Sequence, residues 1–184
     1  MQSDLVLRAQ RGDGEAFETL IRGAYDRLFA TAHRILRDRY AAEDATQEAI
    51  VRCWRDIRGL RDPDRFEAWL YRLLVNASRD YGRRQRRDLR DGAVLPANVS
   101  APSDEYASLV EHDALERAFL TLSADHRIVL VLAHYAGYSA QEIAVILGVP
   151  TGTVHSRLHY ATQAMRSALA ATQRLPVAAT GSLR

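Results

Sequence analysis

A group of polar side chains near the end of the chain has the chemistry needed to bind a nucleic acid. Thr153, His155, Ser156, Arg157, His159, Tyr160 and Gln163 lie off the apolar stripe of a predicted helix. Arg157 can donate two hydrogen bonds to a guanine edge or to a phosphate. Thr153 and Ser156 lie near the positive end of that helix, which favours phosphate oxygens. The alternative is a solvated polar face on an ordinary helix pair.

Two short helices joined by a glycine turn are predicted to position these residues. Ser139 and Glu142 have the spacing of a capping box, and Gly148 suits the left-handed end of the first helix. Thr151 or Thr153 is predicted to cap the second helix. The buried stripes are Ala140, Ile143, Ala144 and Leu147, then Val154, Leu158, Ala161 and Met165. This pattern predicts a helix-turn-helix, whose second helix usually enters the major groove.

A second face suited to nucleic acid lies on a predicted helix that begins near residue 66. Its members recur at helical spacing and are Trp69, Arg72, Asn76, Arg79 and Arg83. Aromatic rings stack on unpaired bases, arginines follow phosphates and an amide reads a base edge, so this face suits melted DNA. Six arginines lie between residues 79 and 90 against two aspartates, a typical footprint for nucleic acid. For Trp69 alone, core packing is the alternative.

The segment from residue 41 to residue 57 predicts a helix with an acidic polar side. Asp44, Gln47, Glu48 and Arg52 share that side, whereas the buried side consists of Ala45, Ala49, Ile50, Trp54 and Ile57. One interpretation is a docking surface for a protein partner. The other is a solvated face whose acids favour the helix N-terminus.

Composition limits the class of protein. The chain has 184 residues, of which 47% are hydrophobic and 26% charged, and its net charge is +2. There is one cysteine, Cys53, so no internal disulfide is expected and a cytoplasmic location fits. No apolar run approaches a membrane span. His155 and His159 are an i, i+4 pair without a third ligand, so we expect no metal site and no cofactor.

The order of predicted elements is all-helical, with two small domains and a flexible linker. Glycine, prolines and small polar residues mark the linker at residues 91–103. Residues 1–90 are predicted to form the first domain and residues 104–173 the second, which contains the helix-turn-helix. Leu115 and Phe119 are expected on the buried side of a helix that starts at Asp104. Residues 174–184 have no periodicity and are predicted to be a disordered tail.

Three segments in this order resemble a bacterial RNA polymerase sigma factor of the extracytoplasmic-function (ECF) type, in the sigma-70 family. They read DATQEAIVRCW, FEAWLYRLLVNASRDYGRRQRR and LSADHRIVLVLAHYAGYSAQEIAVILGVPTGTVHSRLHYATQAMRSAL. The resemblance covers residues 14–90 and 104–170, and the combination of motifs is much more specific than a lone helix-turn-helix.

The resemblance implies a role for each matching residue. Asp44, Gln47 and Glu48 match the segment that contacts the β′ clamp helices of core RNA polymerase. The loop from Gly59 to Phe66, with Leu60, matches the one that captures a flipped −10 base. Residues matching the helix that binds the melted −10 strand are Trp69, Tyr71, Arg72, Asn76, Arg79 and, in the basic run, Arg83. Those matching the −35 recognition helix are Thr153, His155, Ser156, Arg157 and Tyr160. The implied partners are core polymerase (its β′ and β subunits), promoter DNA and an anti-sigma factor.

Two positions depart from the family pattern, and two other classes of function remain as alternatives. His155 stands where Lys or Arg is common and Tyr160 where Arg is common, which reduces the positive charge of the recognition helix. A stand-alone helix-turn-helix regulator would bind duplex DNA without polymerase. A helical enzyme is disfavoured, since no phosphate loop, carboxylate pair or activated nucleophile is identifiable.

Overall fold

The computed structural model describes residues 2–90 and 108–173, and every regular element in these ranges is helical. The predicted linker, the start of a helix at Asp104 and the predicted tail lie outside the described residues. The α-helices are α1 (Gln2–Gln10), α2 (Gly14–Leu36), α3 (Arg39–Asp56), α4 (Phe66–Arg90), α5 (Ser108–Thr121), α6 (Ala124–His134), α7 (Ala140–Leu147) and α8 (Thr151–Gln173). Two short 3₁₀ turns, Ile57–Gly59 and Pro63–Arg65, connect α3 to α4.

Aspartate caps define the beginnings of α2 and α3. The Asp13 carboxylate accepts a hydrogen bond from the Ala16 N–H at 3.0 Å, and Asp38 does the same for the Ala41 N–H at 2.9 Å. These bonds satisfy N–H groups that the first helical turn leaves without a partner. Between the two helices, Arg37 adopts a left-handed conformation with φ of 59°, which reverses the chain direction so that α3 packs against α2.

The first group of helices, α1 to α4, has most of the core that the sequence predicts, but Ile50 is only half-buried and Trp54 is exposed. Leu28, Ile35 and Leu74 are among its fully buried side chains. Trp54, expected on the buried side of α3, is 49% exposed and packs edge-on against Phe17 at 4.8 Å between ring centroids. The prediction was wrong because Cys53, one residue earlier, occupies the inward position.

Burial is expected to make the Cys53 thiol unreactive toward alkylating reagents in the folded protein. Loss of hydration raises its pKa from 9.0 to about 12, so the nucleophilic thiolate is about a thousandfold rarer at neutral pH. We expect iodoacetamide to label Cys53 rapidly in urea and hardly at all in buffer, as measured by mass spectrometry over time. Equal labelling rates in the two conditions would contradict this burial.

The second group of helices, α5 to α8, contains the predicted helix-turn-helix. Ser139 and Glu142 form both bonds of the capping box, and Gly148 ends α7 with φ of 66°. Residue Thr151 is the first of α8, so Pro150 precedes the helix and Thr153 lies within its first turn, not at a cap. Leu115 on α5, expected to be inward, is 43% exposed, whereas Ala118 and Leu122 are buried.

The capping box predicts a measurable loss of stability in one variant. Ser139 Oγ accepts from the Glu142 N–H at 3.3 Å, while the Ser139 N–H donates to Glu142 Oε2 at 2.8 Å. Ser139→Ala should lower the free energy of unfolding by about 1 kcal/mol, measured by urea denaturation. Ser167→Ala, on the exposed surface of α8, is the matched control and should change it by less than about 0.5 kcal/mol.

The two groups of helices pack directly against each other. Helices α6 and α7 lie on α2 and α4, so one hydrophobic core includes buried residues of both groups. The sequence predicted separate domains and gave no indication of this contact. Its consequence is that part of the surface of α4 faces an interface within the chain.

Candidate nucleic-acid and protein interfaces

The three acidic and amide residues of α3 form one exposed face. Asp44, Gln47 and Glu48 are all exposed, because the opposite side of the helix carries small buried residues that pack on α2 and α4. Val51, one turn further along, is 60% exposed and extends the face with an apolar side chain. We name Asp44, Gln47, Glu48 and Val51 the α3 face; its acidic rim with an apolar centre suits a protein partner.

A cleft of about 500 Å³ separates the α3 face from α4. Arg52 bridges the two helices, since its Nε donates to Glu48 at 2.7 Å and its Nη2 to Asp80 at 3.1 Å. Partial burial opposes ionisation of Asp80, but the hydrogen bonds from Arg52 and Arg83 outweigh it and lower the pKa of this carboxyl. The ion-paired Arg52 therefore fixes α3 and α4 relative to each other.

The predicted base-capture loop before α4 is attached to α1. The side-chain amide of Gln10 donates to the carbonyl oxygens of Ile57 at 2.9 Å and of Leu60 at 2.7 Å. Ser3 donates to Asp64 on the same loop. Leu60 itself is half-buried. Through Gln10, helix α1 thus holds the backbone of this loop. The sequence did not predict this role for Gln10.

The predicted −10 residues of α4 are only partly accessible. Asn76 and Arg83 are exposed, with Arg83 paired to Asp80, and Trp69 is half-buried against Phe66. The remaining three contact the second group of helices; of these Tyr71 is buried, Arg79 is half-buried and Arg72 stays exposed. Asn76 is therefore accessible to solvent.

Tyr71 and Arg72 contact the helix-turn-helix directly. The Tyr71 side chain is 4% exposed and packs edge-to-face on Tyr138, with ring centroids 5.1 Å apart. Burial raises the pKa of both phenols above the usual value. The Arg72 guanidinium lies against Gly148, so that a β-carbon on Gly148 would come within 3.4 Å of Nη2. Both contacts join α4 to the ends of α7.

The predicted −35 residues of α8 divide into exposed and covered members. His155, Ser156 and Tyr160 are exposed, and Ser156 donates to the Thr153 carbonyl at 3.0 Å. Arg157, the residue with the best chemistry for a guanine edge, retains only 24% of its side-chain exposure and is ion-paired with Asp125 on α6. The structure thus brings most of the predicted residues to the surface but directs Arg157 inward.

Arg79 and Arg157 share one carboxylate, that of Asp125 in the first turn of α6. Arg79 donates from Nε and Nη2 to Asp125 Oδ1 at 3.1 and 2.9 Å. Arg157 Nη2 lies 2.9 Å from Asp125 Oδ2. In the sequence Asp125 is an ordinary acid at a helix start, and no local signal identifies a tertiary ion pair, so sequence reasoning missed it.

Among the described residues, no His, Cys, Asp and Glu side chains form a group of three or more that could hold a metal ion. Within these same ranges no helix has the length and hydropathy required to cross a bilayer.

Comparison with known proteins identifies both groups of helices. The family model for sigma-70 region 2 matches residues 20–88, and the model for sigma-70 region 4 matches residues 112–165. The chain is 35% identical over 169 residues to the ECF RNA polymerase sigma factor SigL of Mycobacterium tuberculosis, covering 86% of this chain and 93% of SigL. It is 28% identical over 176 residues to SigW of Bacillus subtilis, an ECF sigma factor, covering 89% and 94%.

A solved structure supports the same assignment. It is that of the sigma factor RpoE in complex with the anti-sigma factor NepR from Bartonella quintana, with a TM-score of 0.70 and 26% identity. The similarity covers 84% of this chain and 96% of RpoE. The family assignment agrees with the order of the helices and with the presence of the helix-turn-helix. It also agrees with the match over almost the full length of the relatives named above. The chain therefore belongs to the ECF RNA polymerase sigma factors of the sigma-70 family.

Proposed function

We propose that this chain binds core RNA polymerase and directs promoter-specific initiation by holding the melted −10 strand and reading the −35 duplex. One observation carries the proposal. An exposed acidic α3 face, a face of α4 with Trp69, Asn76 and Arg83 (the α4 face) and a helix-turn-helix occur in one chain and in family order. In this proposal residues 1–90 act at the −10 element and residues 104–173 at the −35 element. No nucleotide hydrolysis by this chain is required.

The α3 face is the proposed polymerase-docking surface. Asp44, Gln47 and Glu48 are exposed on one rigid helix, and Arg52 holds that helix against α4. Carboxylates and an amide on a fixed helix suit a basic helical partner, and by the family resemblance that partner is the β′ clamp of the polymerase. The adjoining Val51 supplies apolar area for the centre of the contact.

The α4 face and the preceding loop are the proposed −10 site. A base flipped from the duplex exposes its Watson–Crick edge, which the loop that contains Leu60 is proposed to receive while Trp69 stacks on a neighbouring base. Asn76 is placed to read a base edge and Arg83 to contact phosphate. Duplex opening then results from capturing the bases that leave the stack.

The N-terminal part of α8 is the proposed −35 site. Thr153, Ser156 and Arg157 lie in the first two turns, where a recognition helix contacts base edges and phosphates. His155 and Tyr160 replace basic residues common in the family, so we expect fewer phosphate contacts there. A shallower dependence of −35 binding on salt would follow.

An anti-sigma factor is a further proposed partner, by analogy with RpoE, which is bound to NepR in its solved structure. Such a protein would cover surfaces needed for transcription.

Co-purification with core polymerase tests the proposal. Mixing the purified full chain with core enzyme and separating by gel filtration should give a complex that survives chromatography. A stand-alone regulator would instead elute separately, and the polymerase fraction would not contain the chain. The ion pair of Arg157 with Asp125 favours the sigma-factor function, because the free chain would have to break it before Arg157 could contact a duplex.

A further inference from the structure

One side chain of α1 fixes the start of the loop that is proposed to capture a −10 base, Gly59 to Phe66. The Gln10 amide donates to the carbonyl oxygen of Ile57 at 2.9 Å and to that of Leu60 at 2.7 Å. Both acceptors are carbonyl oxygens, so the amide acts here as a donor, and its two N–H groups allow one bond to each. The bonds connect residues that are 47 and 50 positions apart in the chain. One amide thereby closes the turn that leads into the loop against α1.

Gln10 is suited to this task because its own backbone is held in place. It is the last residue of α1, and Val6 and Ala9 of the same helix are buried where α1 packs on α2. Arg8 pairs with Asp13, the residue that caps α2, at 2.7 Å. The hydrophobic core and this ion pair therefore set the position from which the amide reaches the loop.

The bond to Leu60 also fixes the direction of the next backbone donor. In a planar trans peptide the N–H points opposite to the C=O of the same unit, and the described residues contain no cis peptide bond. Since the Leu60 carbonyl points to Gln10, the Arg61 N–H points away from α1. Arg61 is exposed, and in the described part of the chain its N–H donates to no backbone carbonyl. The loop therefore presents an outward donor beside the apolar side chain of Leu60.

The second part of the loop is held by other bonds. The Asp62 carboxylate accepts from the Asp64 N–H at 3.1 Å, and Ser3 of α1 donates to the Asp64 side chain. Loss of the Gln10 bonds would leave these contacts in place and release the backbone at Leu60. The effect of Gln10 is therefore local to the first part of the loop.

We propose that Gln10 is a positioning residue for −10 recognition: it fixes the peptide unit between Leu60 and Arg61, and so holds the Arg61 N–H and the Leu60 side chain in the arrangement that receives the captured base. The inference rests on the proposed function, which assigns base capture to this loop. A base outside the stack presents its Watson–Crick edge and its ring face, which suit a fixed donor and an apolar side chain. Selectivity requires that the donor stay in place, because a mobile loop adapts to the wrong base.

Two substitutions at Gln10 separate loss of the donor from replacement of the side chain. Gln10→Glu is nearly isosteric, but its carboxylate cannot donate and would face two carbonyl oxygens. Gln10→Lys keeps the donor function, since an ammonium group has three N–H bonds. Gln2→Glu is the matched control for the first variant, because Gln2 is exposed at the other end of α1. Circular dichroism verifies helical content in every variant.

The main measurement is base selectivity in transcription with core polymerase. In a promoter that the parent chain transcribes, each −10 base is replaced in turn by the other three, and initial rates of abortive synthesis are compared. Selectivity at a position is the rate with the original base divided by the highest rate with a replacement. A change in the charge of the protein acts on all these promoters through their phosphates, so it cancels in this ratio.

Gln10→Glu should lower selectivity by about 5- to 10-fold at one −10 position and leave the other positions within about twofold of the parent. Gln10→Lys and Gln2→Glu should stay within about twofold of the parent at every position. Parental selectivity throughout in Gln10→Glu would overturn the proposal. An equal loss at all positions, or the same loss in Gln10→Lys, would also overturn it, because a merely structural role predicts those results.

Amide exchange in the free chain tests the geometry of the loop without DNA. The Leu60 N–H donates to the Ile57 carbonyl at 3.1 Å, and the same carbonyl accepts from Gln10. In Gln10→Glu the Leu60 N–H should exchange about tenfold faster, measured by NMR, because the turn opens more often. In Gln10→Lys and Gln2→Glu the rate should match that of the parent. An unchanged rate in Gln10→Glu would overturn the proposal.

If Gln10→Glu does not fold, Gln10→Met takes its place, because methionine is uncharged, of similar length and without a donor. The same results are then expected of Gln10→Met. Failure of the proposed function is separately visible, since the parent chain itself would then give no transcripts. Failure of this inference would instead leave the parent active and the Gln10 variants as selective as the parent.

Discussion

Asp44→Ala combined with Gln47→Ala should reduce affinity for core RNA polymerase by about 10- to 100-fold while leaving the fold intact. Both side chains are exposed, so the change removes contacts to a partner and no core packing. A few central interface residues carry most of the binding energy, and truncating two of them has an effect of this size. Fluorescence titration of labelled core enzyme measures it. Asp26→Ala, an exposed acid on α2, is the control and should bind normally.

Asn76→Ala should impair promoter opening while leaving affinity for core polymerase nearly unchanged. Asn76 is exposed on α4 and does not line the cleft beside the α3 face, so polymerase affinity should remain close to that of the parent. Loss of one base-edge reader should lower the rate or extent of promoter opening by about tenfold. Permanganate footprinting of unpaired thymines measures opening on a promoter that the parent transcribes. An equal loss of polymerase affinity in Asn76→Ala and in the Asp44→Ala, Gln47→Ala variant would contradict these separate roles.

Leu28→Ala should be the most destabilising of the variants considered. Leu28 is fully buried in the middle of α2, which packs on α1, α3, α4 and α6. Removal of its side chain should lower the free energy of unfolding by about 2–5 kcal/mol, through lost burial and a residual cavity. Total stability of a domain is commonly about 5–15 kcal/mol, so the variant should unfold at much lower urea concentration.

The control for Leu28→Ala is the same substitution at Leu120, which is 54% exposed on α5. It should change the free energy of unfolding by less than about 0.5 kcal/mol. Similar losses at Leu28 and Leu120 would contradict the core described above. Urea denaturation followed by circular dichroism measures both.

Local signals in the sequence predicted most of the secondary structure. Ser139, Glu142 and Gly148 act within a few residues of one another, so the capping box and the end of α7 follow from spacing alone. The long apolar stripe of α2 likewise predicted residues 14–37, and the helix ends at Leu36. Trp54 shows the limit of such patterns, because rotation of α3 by one residue exchanges it with Cys53 on the buried side.

The candidate sites were predictable in composition but not in accessibility. Exposure of Asp44, Gln47 and Asn76 follows from helical periodicity. The inward position of Arg157 does not, because it depends on Asp125, which lies on another helix and 32 residues earlier in the chain. Tertiary ion pairs and interdomain packing leave no periodic trace in a single sequence. Only the three-dimensional arrangement of the described residues makes them visible.

Run-off transcription tests the central claim most directly. Purified core polymerase is supplied with a library of genomic promoter fragments, with and without the full chain, and with the Asp44→Ala, Gln47→Ala variant as the matched control. The account predicts discrete transcripts that require the parent chain, are nearly lost with the variant and share common −10 and −35 sequences. Absence of such transcripts, together with absence of the chain from the core polymerase fraction, would contradict it.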